Sequence, residues 1–144
     1  LAMGINVYGN QDFGFSGLSL DDRIFLAQSD VIRKVAEEGP CIIVGRCSDY
    51  ILQDKKNNIN VYIYSNYETR LRNCIDILHM KREEAKTMIN KVDKARISYH
   101  KNFAKFLPDD PEHKDVMIDS GLLGVEGTAR ILAQIVTEKF GFVK

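Results

Sequence analysis

No excess of charge marks this chain. Lysine plus arginine number 20 and aspartate plus glutamate number 20, so the formal net charge is zero. A protein held to nucleic acid by bulk charge is therefore not expected, although a local cationic pocket is compatible with that balance. No apolar run approaches the ~20 residues that span a bilayer, and no basic start followed by an apolar stretch marks a secretory signal. The three cysteines, Cys41, Cys47 and Cys74, are odd in number and lack CxxC spacing. That excludes a disulfide framework and points to free thiols in a reducing cytoplasm. His79, His100 and His113 are scattered without ligand spacing, so no metal site is expected from them. Internal repeats and low-complexity tracts are also lacking. What remains is a 144-residue chain of ordinary globular composition, predicted to form a single domain over residues 1–144.

The first nineteen residues are rich in glycine and polar side chains and read as irregular, flexible chain. Tyr8, Phe13 and Phe15 within them could stack on a base or form an apolar plug. From there the pattern becomes periodic. Ser19 reads as an N-cap with Asp21 and Asp22 in the first turn, and Gly39-Pro40 reads as a stop, which predicts a helix over Leu20–Glu38. That helix has apolar positions enough to pack on a second copy as well as on its own sheet, so a homo-oligomer is compatible with it. Three short runs, Cys41–Val44, Ile59–Tyr64 and Asp115–Asp119, have the β-branched apolar character of strands buried on both faces. Helices are predicted over Tyr67–Leu78, Lys81–Lys101 and Val125–Lys139. Strands alternating with helices give an α/β class with a mostly parallel sheet.

In open parallel sheets ligands bind beyond the carboxyl ends of the strands. Here the first such end delivers Gly45-Arg46 and then Asp49, the second Ser65-Asn66 and a helix carrying Arg70 and Arg72, the third Asp119-Ser120-Gly121. On the long helix Ala85, Met88, Ile89, Val92, Ala95 and Tyr99 form one stripe, and Arg96 falls within its width with Asp93 and His100 flanking it. Two inward-aimed arginines, Arg46 and Arg96, suit an anion held by planar donors, and phosphate is the commonest. Plainer readings stay open for each: Arg46 as a solvated residue after a strand, Arg70 and Arg72 as a wet helix face with Glu68, Asp119 as a cap, Arg96 held by Asp93 alone.

The stretches IIVGRCSDYIL, VDKARISYHKNF and MIDSGLLGVEGTARIL, in this order, resemble the cytidylate kinase-like family, over about residues 20–140. The resemblance implies a three-layer P-loop kinase fold, a parallel sheet flanked by helices, that moves the terminal phosphoryl group of ATP, with Mg2+, to a nucleoside monophosphate such as CMP. It assigns Arg46, with Asp49, Arg70 and Asp119, to the acceptor nucleotide. It makes 81–101 a lid-type helix whose Lys94 and Arg96 supply cations and whose Asp93 orients them. One part of the pattern is missing: none of the ten glycines belongs to a G-x-x-x-x-G-K-[ST] phosphate loop. Residues for ATP are therefore unassigned, and the strand, loop and helix that carry that pattern are expected to precede Leu1. The alternatives are a catalytically degenerate module that binds a nucleotide or phosphate, and a scaffold whose arginines merely pair with acids.

Overall fold

The computed structural model describes residues 17–141. Two compact units part between Cys41 and Ile42. The N-terminal unit contains helix α1, Leu20–Glu38, with the boundaries its caps predict. The Ser19 hydroxyl accepts from the Asp22 amide at 3.1 Å and the Asp22 carboxylate accepts from the Ser19 amide at 3.3 Å, a reciprocal box that satisfies two end donors. The helix stops at Gly39, whose φ of 152° is open to glycine and strained for other residues, and Pro40 follows.

The second unit is built on two parallel strands. β1 (Val61–Tyr64) pairs with β2 (Val116–Asp119) in the register Val61 with Val116 through Tyr64 with Asp119. Asn60 opens the pair: its carbonyl accepts from the amides of Asp115 and Val116, and its amide donates to the Asp115 carboxylate at 2.7 Å. Ahead of β1 lies a single-turn helix, α2 (Ser48–Ile51). After β1 come α3 (Tyr67–Asp76), capped by the Asn66 side chain, and the long α4 (Arg82–Ala104). A 3-10 turn at Pro111–His113 leads into β2, and α5 (Ser120–Phe140) follows directly, capped by Asp119 and broken at Gly124, whose φ of 69° interrupts the helix. Parallel neighbours with helical crossovers are the α/β arrangement that the alternating pattern predicts.

The core lies where α3 crosses α4. Leu71 and Cys74 from one helix meet Ala85 and Ile89 from the other, with Ile75, Met80 and Met88 packed around them. Leu71 and Ala85 are 1% and 0% exposed and form the closed centre of this cluster. Such burial is worth about 1.5–3 kcal/mol per large apolar side chain. It is what keeps α4 helical although its second half turns largely to solvent.

The predicted strand at Cys41–Val44 is not formed. Ile42 and Val44 are 94% and 87% exposed, and among the described residues the sheet consists of β1 and β2 alone. An apolar run becomes a strand only where a neighbour takes up its N–H and C=O groups, and the pattern by itself does not supply one. The other elements shift by a few residues: the first paired residues are Val61 and Val116 rather than Ile59 and Asp115, α3 ends at Asp76, and α4 runs on to Ala104, while α5 adds a turn from Ser120 ahead of the break at Gly124, after which the helix predicted from Val125 follows. The short α2 falls in a stretch read as loop. The predicted irregular segment 1–19 lies outside the described residues except for Gly17 to Ser19, which are non-helical.

Two substitutions separate the real core from the expected one. Leu71→Ala lowers unfolding free energy by about 2–5 kcal/mol in urea titrations, the range for emptying a closed apolar site. Ile42→Ser changes it by less than about 0.5 kcal/mol, as an exposed side chain requires; a loss of core size there would restore the buried-strand reading.

Candidate functional site

The residues after Val44 form an unusual turn. Gly45, Arg46 and Cys47 have φ values of 70°, 60° and 55°, all left-handed. Glycine accepts this conformation, but for Arg46 and Cys47 it costs of order 1 kcal/mol or more each. The turn is closed by the Ser48 amide donating to the Gly45 carbonyl at 3.2 Å and by the Tyr50 and Ile51 amides converging on the Cys47 carbonyl. Arg46 projects into solvent from its apex, while Cys47 is buried. Burial, aided by the negative charge of Asp49, pushes the Cys47 thiol up to about 11, so it stays a neutral, unreactive thiol.

Asp49 follows on α2. Lys114 donates to its Oδ2 at 2.5 Å, His100 Nε2 lies 3.1 Å from each oxygen, and the Tyr50 amide donates to Oδ1 at 3.0 Å. The Lys114 and His100 side chains are 5% and 9% exposed. Burial works to raise the Asp49 pKa, but the hydrogen bonds from Lys114 and His100 outweigh it and hold the carboxyl below its ordinary value. Asp49 is thus an ionised carboxylate with both oxygens engaged by the protein.

The other acids and arginines form a second group. Arg70 on α3 donates through Nη2 to both oxygens of Asp93 on α4, at 2.7 and 2.8 Å. Each partner is about one-third exposed, at 34% and 35%, so the pair borders a wet surface. Arg96, one turn beyond Asp93, does not point inward. It is exposed, as are Val92 and Ala95 of the expected stripe, while the buried positions of α4 are Ala85, Ile89, His100 and Ala104. The correction has a physical reason: α4 packs on α3 only through its first turns, and beyond them no element of the described core requires the stripe to be covered. Asp93 accordingly pairs with Arg70, and among the described residues neither Arg96 nor Arg46 forms an ion pair. Lys94 is exposed as well. Tyr62 on β1 joins the group, since its phenol is raised by burial first and then by Asp109, with Arg96, Asp93 and Arg70 also acting on it. Two guanidinium groups, two carboxylates and a phenol therefore share one neighbourhood.

Asp119 takes the capping role that was open to it, its carboxylate accepting from the Gly121 amide at 2.8 Å. Ser120 donates to the Tyr64 carbonyl at 3.1 Å and ties the two strand ends together. A side chain at 121 would stand 2.9 Å from the Ser65 hydroxyl and 3.0 Å from Asp119 Oδ1, which is why glycine occupies the position. The predicted residues thus divide into three places: Arg70, Asp93 and Arg96 together, Arg46 and Asp49 on and beside the left-handed turn, and Asp119 at the head of α5. Tyr62, His100 and Lys114 emerge as neighbours of these residues only in the fold. His100 is visible in the sequence as a flank of the long helix, but Lys114 meets an acid 65 residues away, and no local pattern announces that. Among the described residues no group of three or more His, Cys, Asp or Glu is placed to hold a metal ion, and no helix is long and apolar enough to cross a membrane.

Comparison with known proteins shows the fold and the family. A solved structure with similar fold is the crystal structure of an uncharacterized protein from Eubacterium ventriosum ATCC 27560; it superposes with a TM-score of 0.74 at 28% identity, covering 81% of this chain and 74% of that one. No curated protein matches the sequence. The profile of the cytidylate kinase-like family matches residues 2–122, a span that includes the left-handed turn, the Arg70–Asp93 pair, α4 and β2. The chain belongs to the cytidylate kinase-like family.

Proposed function

We infer that this chain binds a nucleoside monophosphate of the CMP type as the phosphoryl acceptor of a kinase-like reaction. The observation that carries the reading is the Arg70–Asp93 pair with the exposed, unpaired Arg96 one turn further along α4. Asp93 holds one guanidinium at fixed geometry without consuming the other, so a phosphate arriving at the surface finds a prepositioned donor and a mobile one. Arg46 adds a third, held at the apex of a strained turn, and strain of that kind is retained where a side chain must be aimed. Membership of the family supports a nucleotide-related kinase role; the CMP-like acceptor is our own reading of the arginine group.

In this reading α4 is a lid-type helix. Lys94 and Arg96 on its exposed part meet the charge of the phosphates when the helix is brought over them, and Asp93 keeps Arg70 from collapsing onto the acceptor's neighbours. Phosphoryl transfer asks a protein mainly for positioning and positive charge, which these residues supply. ATP and Mg2+, which the resemblance implies, do not fit the residues at hand. The sequence has no G-x-x-x-x-G-K-[ST] cradle, and the described residues hold no cluster of acidic ligands. The residues named above belong to the acceptor side. That same observation favours the second reading, a module that binds a nucleotide or phosphate without transferring anything.

Thermal shift of the full-length protein with CMP, with ATP and Mg2+, and with both separates the two. Binding to the native state raises the melting temperature by mass action. A shift with CMP that grows when ATP and Mg2+ are added supports the kinase; a shift with CMP alone supports the binding module; no shift with CMP overturns the acceptor assignment. Arg96→Ala is expected to weaken CMP binding about 10- to 100-fold, the worth of one charge-assisted hydrogen bond, and to leave the unliganded melting temperature unchanged, because the side chain is exposed. Arg70→Ala weakens CMP binding to a similar degree and also lowers stability, by about 1 kcal/mol, since it removes a partly screened ion pair. Calorimetric titration checks both.

A further inference from the structure

Three segments distant in sequence converge on the Asp49 carboxylate: α2 bearing the acid, the end of α4 bearing His100, and the lead into β2 bearing Lys114. Asp49 belongs to the turn of α2 that begins two residues after Arg46, and the amides closing the left-handed turn come from that same helix. Phe106 packs against the cluster: its carbonyl lies 3.0 Å from His100 Nδ1, its ring meets the His100 ring edge-on at 4.8 Å, and Lys114 Nζ lies 5.3 Å from its centroid. The His100 ring therefore bridges the Asp49 carboxylate and the Phe106 carbonyl. Phe106 is in turn stacked on His113, centroids 3.6 Å apart.

A buried ion pair is a poor source of stability compared with apolar groups of the same volume. What it does supply is geometry, because each charge has one arrangement that satisfies it. A turn with two non-glycine residues in left-handed conformation needs such a constraint, since relaxation of either residue to ordinary φ would swing Arg46 away. We propose that Lys114 and His100 are positioning residues: by gripping Asp49 they hold the Gly45–Arg46–Cys47 turn in its left-handed form and so aim Arg46 at the anion. The role of Arg46 rests on the acceptor reading above; the grip on the turn does not.

The buried Cys47 reports on the turn without any nucleotide. In the wild-type chain a limiting thiol reagent such as iodoacetamide modifies exposed Cys41 and spares buried Cys47 and Cys74. Lys114→Met, which keeps the side-chain length, is expected to raise Cys47 labelling at least fivefold, read site by site by mass spectrometry, while Cys74 in the α3–α4 core stays protected. The charge effect runs the other way: Lys114 lowers the Cys47 pKa, so its loss alone would slow labelling. Lys114→Arg restores protection, because a cation remains to bond Asp49, and His100→Phe repeats the effect of Lys114→Met by an independent route. Calorimetry with CMP then tests the aim. Lys114→Met weakens CMP binding about tenfold in the wild-type background and has no further effect in an Arg46→Ala background, since a residue acting through Arg46 cannot add to its loss. Unchanged Cys47 labelling in both Lys114→Met and His100→Phe overturns the proposal, as does simultaneous exposure of Cys74, which would mark general unfolding. Full additivity with Arg46→Ala overturns the aiming of Arg46. If the wild-type chain binds no CMP, the acceptor reading falls and the labelling alone decides whether the cluster holds the turn.

Discussion

The Asp49 carboxylate is the constraint that joins α2, α4 and the lead into β2. Its two oxygens take up an ammonium, an imidazole and a backbone amide in a place nearly closed to water. Each of those donors comes from a different part of the chain or from the turn itself, so one short side chain sets the relation between the left-handed turn, the base of α4 and the entrance to β2. Low local polarity makes the arrangement exacting: an unmatched charge there is costly, and one geometry satisfies all of the groups together.

The Arg70–Asp93 pair works under opposite conditions. It lies at a partly wet border, where an ion pair adds little to stability. Its value is that a guanidinium is kept in one orientation beside Arg96, which no acid among the described residues neutralises. The contrast between the two groups follows from burial alone. A closed cluster fixes backbone, and an open one leaves positive charge available to a phosphate. A net charge of zero over the whole chain is therefore compatible with anion binding, because local placement decides the field at the surface.

Much of this was legible beforehand. Ser19 with Asp22, Asn66, and the pair Gly39-Pro40 announced helix ends because capping is a local negotiation between a side chain and its own backbone. The strands β1 and β2 were visible as short β-branched runs, and their parallel pairing follows from the helices between them. The run at Cys41–Val44 had the same appearance and is exposed instead, since pairing is a property of two segments and not of one. The outward turn of Arg96 was hidden for a related reason. Helical periodicity says which residues share a face, but whether that face is covered depends on how far α3 extends beside it.

The amino-acid order by itself therefore determined the α/β class, the helix ends, the place of Asp93 and Arg96 on one stretch of α4, and the absence of a lysine-bearing glycine loop from this sequence. Only the tertiary structure decided that Asp49 faces Lys114 and His100, that Asp93 pairs with Arg70 rather than Arg96, and that Gly45, Arg46 and Cys47 form a left-handed turn. Local signals record interactions between residues a few positions apart. The two pairings come from contacts across 23 to 65 residues and from the desolvation that accompanies them, which no window of sequence contains.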